Sequence, residues 1–149
     1  MKELKSKIKK TQVLIKTRKM QLDEEALELS KIRETKMNHL RDLENHQKLY
    51  INGVNDLNTE RQSGDRRKLS TLERSVDHSK SQWYKSLRTV KTLEEKEKAQ
   101  IEQVLLAQRN LKSLEKIEES YQVALKQKRL SQEQKELDEL SVQRFSKKV

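Results

Sequence analysis

The 149-residue sequence contains no cysteine and no proline, and it has only two glycines. Without cysteine, the chain can form neither a disulfide nor a thiolate zinc site. Hydrophobic residues make up 32% of the sequence, whereas globular domains usually have about 45–50%. The longest apolar runs, Val13–Ile15 and Val104–Ala107, are far shorter than the roughly 20 residues that span a bilayer. The composition predicts a cytoplasmic chain that has no wide hydrophobic core.

Charged residues are abundant instead, at 39% of the sequence, and the formal net charge is +10. Such a chain is either a long helical rod or a disordered polyelectrolyte, and the periodicity of its apolar residues distinguishes the two. In the first half, seven of eight residues at a spacing of seven are apolar. This series is Ile8, Ile15, Leu22, Leu29, Lys36, Leu43, Tyr50 and Leu57.

The second half holds a matching series, in which seven of nine residues are apolar: Leu69, Val76, Trp83, Val90, Glu97, Val104, Leu111, Glu118 and Leu125. Three positions after the first eight of these lie Leu72, Ser79, Ser86, Leu93, Gln100, Ala107, Leu114 and Tyr121. Two core positions per heptad, named a and d, are typical of a coiled coil. For the first helix we take d as the mostly polar series Lys5, Gln12, Lys19, Ala26, Arg33, Leu40, Gln47 and Val54, which predicts loose packing away from the turn.

The segment Gln62–Asp65 is the best turn in the sequence, because it contains Gly64 between two residues that can cap a helix. A fold-back centred near residue 63 would place a residues level with a residues, for example Tyr50 with Val76. We therefore predict an all-α fold in which two long helices form an antiparallel coiled-coil hairpin.

The predicted hairpin is a single coiled-coil domain over residues 1–149. Helix one covers about 3–60, the turn about 61–65 and helix two about 66–145. Because helix two is longer, residues 126–149 form a C-terminal overhang that has no partner on helix one. Two interpretations stay open for this tail: a helical docking element, or a frayed and disordered terminus.

Basic residues are concentrated in two blocks. Residues 1–19 hold eight Lys and Arg against one Glu, and residues 61–91 hold nine against three acidic residues. In the hairpin these blocks lie at the open end and beside the turn. They either keep the helix surface hydrated or attract acidic partners.

The sequence shows no pattern for catalysis. It has no glycine-rich phosphate loop, and His39 and His46 are seven residues apart rather than at the four-residue spacing of helical metal ligands. We expect no enzyme activity, no cofactor, no metal and no small-molecule substrate. Nucleic acid is also disfavoured as a partner, because five aromatic residues form no stacking platform and no zinc-finger or RNP pattern is present.

Three stretches indicate a family. They are Leu43-x-x-His46-Gln47-x-x-Tyr50 ahead of Leu57-Asn58, Leu69-x-x-Leu72-Glu73-x-x-Val76 after the turn, and Glu133-Gln134-Lys135-x-x-Asp138-Glu139 with Arg144 behind it. With the basic, nearly Gly- and Pro-free hairpin, they resemble the flagellar export protein FliJ family and the YscO-like stalk proteins of virulence-type type III secretion. The resemblance covers essentially the whole chain.

This resemblance implies a non-enzymatic stalk and adaptor of a bacterial flagellar type III export apparatus. Family members bind the hexameric export ATPase, the export gate in the membrane and export chaperones. The expected location is cytoplasmic, peripheral to the inner membrane at the export apparatus, and the isolated chain is expected to be a monomer.

The resemblance also implies two sets of site residues. The gate would contact a patch near the turn, formed by Leu43, Gln47, Tyr50 and Leu72. The ATPase would engage the tail and the basic open end, formed by Lys5, Lys9, Lys10, Lys16, Arg18 and Lys19. Three positions depart from the family pattern, which commonly has an aromatic residue at His46, Phe at Lys68 and a larger polar residue at Ser79.

Two other classes stay open. The first is a basic coiled coil associated with nucleic acid, whose binding would weaken steeply with salt. The second is a structural, self-associating coiled coil, in which residues 62–65 are helical and one continuous helix dimerises in parallel.

Overall fold

The computed structural model describes residues 1–148, with side chains described through Ser146. Nearly all of this part lies in two helices, α1 (Lys2–Ser63) and α2 (Arg66–Lys148). They pack antiparallel as a coiled-coil hairpin, so the predicted fold class is confirmed. Residues 126–146 of the longer α2 follow the last buried residue, Leu125, and are exposed throughout.

The turn consists of Gly64 and Asp65. Gly64 has a φ of +80°, and its N–H donates to the Glu60 carbonyl at 3.1 Å, which ends α1 with a left-handed cap. Asp65 is the N-cap of α2, because its carboxylate accepts a hydrogen bond from the Arg67 N–H at 3.2 Å. The chain is therefore two helices here, whereas the parallel dimer requires residues 62–65 to be helical throughout.

The seam between the helices follows the predicted a series on both helices and the predicted d series on α2, since all of these residues are buried or half-buried. The predicted d series of α1 is wrong: apart from Leu40 and Val54, its members are exposed. The true series precedes it by one residue, and its members are Leu4, Thr11, Arg18, Glu25, Ile32, His39, His46 and Gly53. Both helices thus place d three residues after a.

The register also differs from the prediction by about half a heptad. A Cβ atom built on Gly53 would lie 3.2 Å from Val76 Cγ2, and the Tyr50 ring stacks on Trp83 rather than sitting level with Val76. Each a residue therefore lies opposite a d residue of the other helix. The shift arises because the fold-back is centred between Gly64 and Asp65 instead of near residue 63.

The chain divides into two compact units. The turn unit is Glu25–Val104, and the terminal unit is Met1–Glu24 together with Leu105 and the residues after it. In the turn unit the most buried apolar residues are Leu57, Val76, Val90 and Leu93. In the terminal unit they are Ile8, Ile15 and Leu125.

The terminal unit is not loosely packed, contrary to the expectation from the sequence. Its true d positions include Leu4 and Thr11, whereas the predicted ones were lysine and glutamine. Thr11 is buried with its hydroxyl satisfied, because Oγ1 donates to the Lys7 carbonyl at 2.8 Å.

The turn unit also contains a polar stretch of seam. Lys36 Nζ lies 3.3 Å from Glu97 Oε2, and the two side chains are only 24% and 19% exposed. Nearby, Gln100 Nε2 donates to both the backbone carbonyl, at 3.0 Å, and the carboxylate of Glu25. These charged and amide groups are paired across the seam, so they do not separate the helices.

Candidate partner-binding surfaces

The basic residues predicted for the ATPase contact lie in the terminal unit. Five of the six are exposed: Lys5, Lys9, Lys10, Lys16 and Lys19. Arg18 is a d residue and half-buried, and its Nη1 donates to Gln21 Oε1 at 3.0 Å. Arg18 therefore borders the seam, whereas the five lysines lie on the exposed surface.

Four of these lysines share one face of α1, which we call the lysine stripe: Lys5, Lys9, Lys16 and Lys19. Lys5 and Lys19 directly follow d residues, and Lys9 and Lys16 directly follow a residues. Steps of four, seven and three residues keep all four on one face of α1. Within the described residues, none of the four ammonium groups forms an ion pair. A row of unpaired cations on a rigid helix is a surface that attracts anionic partners.

The residues predicted for the gate contact lie in the turn unit, but they do not form one exposed patch. Leu43 and Tyr50 are a residues of α1, Leu72 is a d residue of α2, and all three are half-buried in the seam. Only Gln47 is exposed, and on the helix surface it lies beside the a residues Leu43 and Tyr50. These residues were expected from the family resemblance, and three of the four belong to the packed seam of this hairpin.

An aromatic cluster occupies the same stretch. The Tyr50 and Trp83 ring centroids are 5.4 Å apart with an interplanar angle of 26°, and those of Trp83 and Tyr84 are 5.6 Å apart at 19°. Lys80 Nζ lies 5.6 Å from the centre of the Tyr84 ring. Because Tyr84 is 45% exposed, the stack runs from the seam to the surface.

The tail is the second predicted ATPase-binding element. Its described residues are helical, and its apolar side chains are among the most exposed of the chain: Leu130 is 55%, Leu137 59% and Phe145 73% exposed. Val149, the last residue of the predicted tail, lies outside the described residues. The structure therefore presents a helix with uncovered apolar side chains rather than a second seam.

His39 and His46 are d residues, facing the seam rather than solvent. Among the described residues, no group of three or more His, Asp or Glu side chains is placed to hold a metal ion. Over the same residues, neither helix contains a segment long and apolar enough to cross a membrane.

Sequence reasoning missed the direction in which the lysine stripe points. Its lysines were recognised as a block in the sequence. Whether they face the seam or solvent depends on whether d lies three or four residues after a in α1. This spacing was assigned wrongly because the true d residues of α1 are mostly polar. Comparisons with protein-family models, with curated proteins and with solved structures find no match to this chain.

Proposed function

We propose that this chain is a non-enzymatic stalk and adaptor of a bacterial type III protein export apparatus, flagellar by the family resemblance. In this role it binds the hexameric export ATPase, the export gate and export chaperones, at the cytoplasmic side of the inner membrane. The observation that carries the proposal is the lysine stripe of the terminal unit, presented on an antiparallel two-helix hairpin.

The physical argument rests on preorganisation. A helix in a packed seam holds its exposed side chains at fixed spacing, so binding loses less conformational entropy than binding by a flexible basic segment. The lysines attract an acidic surface over long range. The exposed apolar side chains of the tail, such as Leu137 and Phe145, then add short-range apolar contact area that the lysines lack.

The test is titration of the chain into the hexameric export ATPase from the same organism, with hydrolysis rate and ring size followed together. We expect the rate to rise and saturate near one chain per six ATPase subunits. Reversing the lysine stripe, with Lys5, Lys9, Lys16 and Lys19 all changed to Glu, should abolish the rise. No binding by the folded wild-type chain at moderate salt would contradict the proposal.

The matched control reverses four exposed basic residues of the turn unit: Arg66, Arg67, Lys68 and Arg74. It changes the net charge by the same amount, so it separates a specific contact from general charge attraction. We expect the control variant to stimulate the ATPase as the wild-type chain does. Equal losses in both variants would indicate non-specific attraction.

Nucleic acid is the second candidate, and the lysine stripe is also the observation that favours it. Lysines that neutralise phosphates release counterions, so the logarithm of the binding constant would fall linearly with the logarithm of salt concentration. The aromatic rings argue against it, since Tyr50 and Trp83 are half-buried in the seam. Retention of the wild-type chain on a DNA or RNA fragment at physiological salt would favour this candidate over the stalk.

A further inference from the structure

The two sides of the hairpin differ in the turn unit. One side of the hairpin is formed, on each helix, by the residues that directly follow d and those that directly follow a. On this side an ion pair joins the two helices, with Arg61 Nη2 3.9 Å from Glu73 Oε1. The apolar residues here define what we call the apolar flank: Met37, Leu40, Ile51 and Val54 of α1, and Tyr84 and Leu87 of α2.

The apolar flank is open to solvent. Met37 is 54% exposed, Ile51 48%, Tyr84 45% and Leu87 41%, while Leu40 and Val54 are half-buried at the base. On α1, Glu44 and Gln47 separate Met37 and Leu40 from Ile51 and Val54. In the register set by Gly53 and Val76, Tyr84 and Leu87 of α2 lie level with that gap, so the six apolar side chains form a zigzag strip across the two helices. A strip of this kind, rimmed by charged residues, marks an interaction surface.

The opposite side, formed by the residues that directly precede a and those two positions after a, is polar over the same stretch. Its members are Asn38, Asp42, Asn45, Leu49 and Asn52 of α1, and Ser75, His78, Gln82, Lys85, Thr89 and Thr92 of α2. Leu49 is the one apolar side chain among them. The contrast shows that the apolar strip is not a general property of this hairpin surface.

The length of the strip fits a helix. From Met37 to Val54 the backbone of α1 rises about 25 Å, which is the length of a helix of about 17 residues. An amphipathic helix laid in the groove between two helices buries its apolar face against both, which is a common mode of peptide recognition.

The charges around the strip select the partner. Level with the strip, α2 presents Lys80, Arg88 and Lys91 on this side or at its outer edge, against one acidic residue, Asp77. Lys85 lies on the opposite side. On the α1 side, Glu44 is paired with Lys48 at 3.3 Å. A second copy of this chain would bring the same basic side chains to the interface, so like charges oppose self-association there.

We propose that the apolar flank is the docking site for an acidic amphipathic helix of a partner protein, which lies along the groove and forms a three-helix bundle with α1 and α2. Apolar side chains of that helix contact Ile51, Tyr84 and Leu87. Its carboxylates face Lys80 and Lys91. This inference stands on the turn unit alone and does not depend on the export role.

The probe is a synthetic helix of about 18 residues, with Leu along one face and Glu at the flanking positions. The full chain is titrated with it, and the fluorescence of Trp83, the only tryptophan, reports binding beside Tyr84. We expect saturable binding with one peptide per chain. A second peptide, identical except for Lys in place of each Glu, should bind at least about tenfold more weakly.

Leu87→Glu should weaken binding of the acidic peptide about tenfold or more, because it places a like charge in the centre of the strip. The matched control is Leu49→Glu on the opposite side, which adds the same charge at an exposed leucine and should leave binding unchanged. Circular dichroism melting of both variants checks that the hairpin is intact. Lys80→Glu with Lys91→Glu should reverse the preference in favour of the basic peptide.

Three results would overturn the proposal. One is no saturable binding of the acidic peptide by the wild-type chain at low salt. Another is an equal effect of Leu87→Glu and Leu49→Glu. The last is a wild-type dimer in sedimentation equilibrium that Leu87→Glu dissociates, which would make a second copy the occupant of the flank.

Discussion

Gly64 combines a positive φ with open space around its α-carbon. No atom would lie within 4 Å of a Cβ built there, so the backbone conformation alone constrains the residue. The left-handed conformation costs an L-residue with a Cβ about 1–2 kcal/mol. The turn is therefore sensitive to substitution although its side chains are exposed.

Gly64→Ala should lower the free energy of unfolding by about 1 kcal/mol. The measurement is urea denaturation followed by circular dichroism. D-Ala at the same position, introduced by peptide ligation, is the control, because it favours positive φ and should not destabilise the turn. Equal losses for both residues would mean that something other than φ limits the position.

The Lys36–Glu97 pair illustrates how burial changes the value of an ion pair. Lys36→Ala leaves Glu97 half-buried without its partner and should cost about 1–2 kcal/mol. Lys48→Ala breaks a pair whose side chains are 67% and 66% exposed, and it should cost less than about 0.5 kcal/mol. Thermal unfolding of the two variants tests the difference, and equal costs would contradict it.

Replacing both members of the seam pair, with Lys36→Leu and Glu97→Leu, should raise the free energy of unfolding by about 1 kcal/mol or more. Two desolvated charges are then exchanged for apolar contacts. Urea denaturation at two protein concentrations measures it and detects any oligomer that the added leucines create. A loss of stability would show that the ion pair is itself net favourable in this seam.

At the scale of the helices, the sequence predicts the a series and the whole seam of α2, because twelve of the seventeen seam residues of α2 are apolar. It does not predict the d series of α1. The d positions of α1 were assigned one residue too late, because Leu40 and Val54 are more apolar than the true d residues His39 and Gly53. Which side forms the seam is decided by the partner helix, and one helix's hydropathy does not contain that information.

The candidate surfaces were predictable to a smaller degree. A basic block can be counted in the sequence, so the lysine stripe was found as a set of residues. The apolar flank was not found, since Met37, Ile51 and Leu87 look like unrelated apolar residues until the true d series defines their common side.

The tail provides a test at the same scale. Its described residues are exposed after Leu125, so deletion of residues 126–149 should change the midpoint of thermal unfolding by no more than a few degrees. The same deletion should weaken ATPase stimulation under the proposed function. A large fall in the midpoint would show that the tail packs on the hairpin in solution.

At the scale of the whole molecule, this chain differs from a globular protein of the same mass in its solvent-accessible surface. The chain exposes 12275 Å², whereas a globular protein of its mass exposes about 8,000 Å² and its unfolded chain about 26,000 Å². Unfolding therefore uncovers about three quarters of the surface that a globular protein of this size would uncover.

The dependence of unfolding free energy on urea concentration should be reduced in proportion, to about three quarters of the globular value. Urea titration at several protein concentrations measures it. If this urea dependence had the globular value at high protein concentration and fell on dilution, the chain would be self-associated. That result would contradict the expected monomer.

The two-residue turn has one more consequence, which concerns stoichiometry. If Gly64 adopted helical dihedral angles, α1 and α2 would join into one helix, and two such chains could pair antiparallel with every a–d layer of the seam reproduced between them. Hairpin and exchanged dimer share their contacts and differ chiefly in the conformation of this turn. Gly64→Ala, which penalises the positive φ that only the hairpin requires, should thus shift the equilibrium toward the dimer by about 1 kcal/mol per turn.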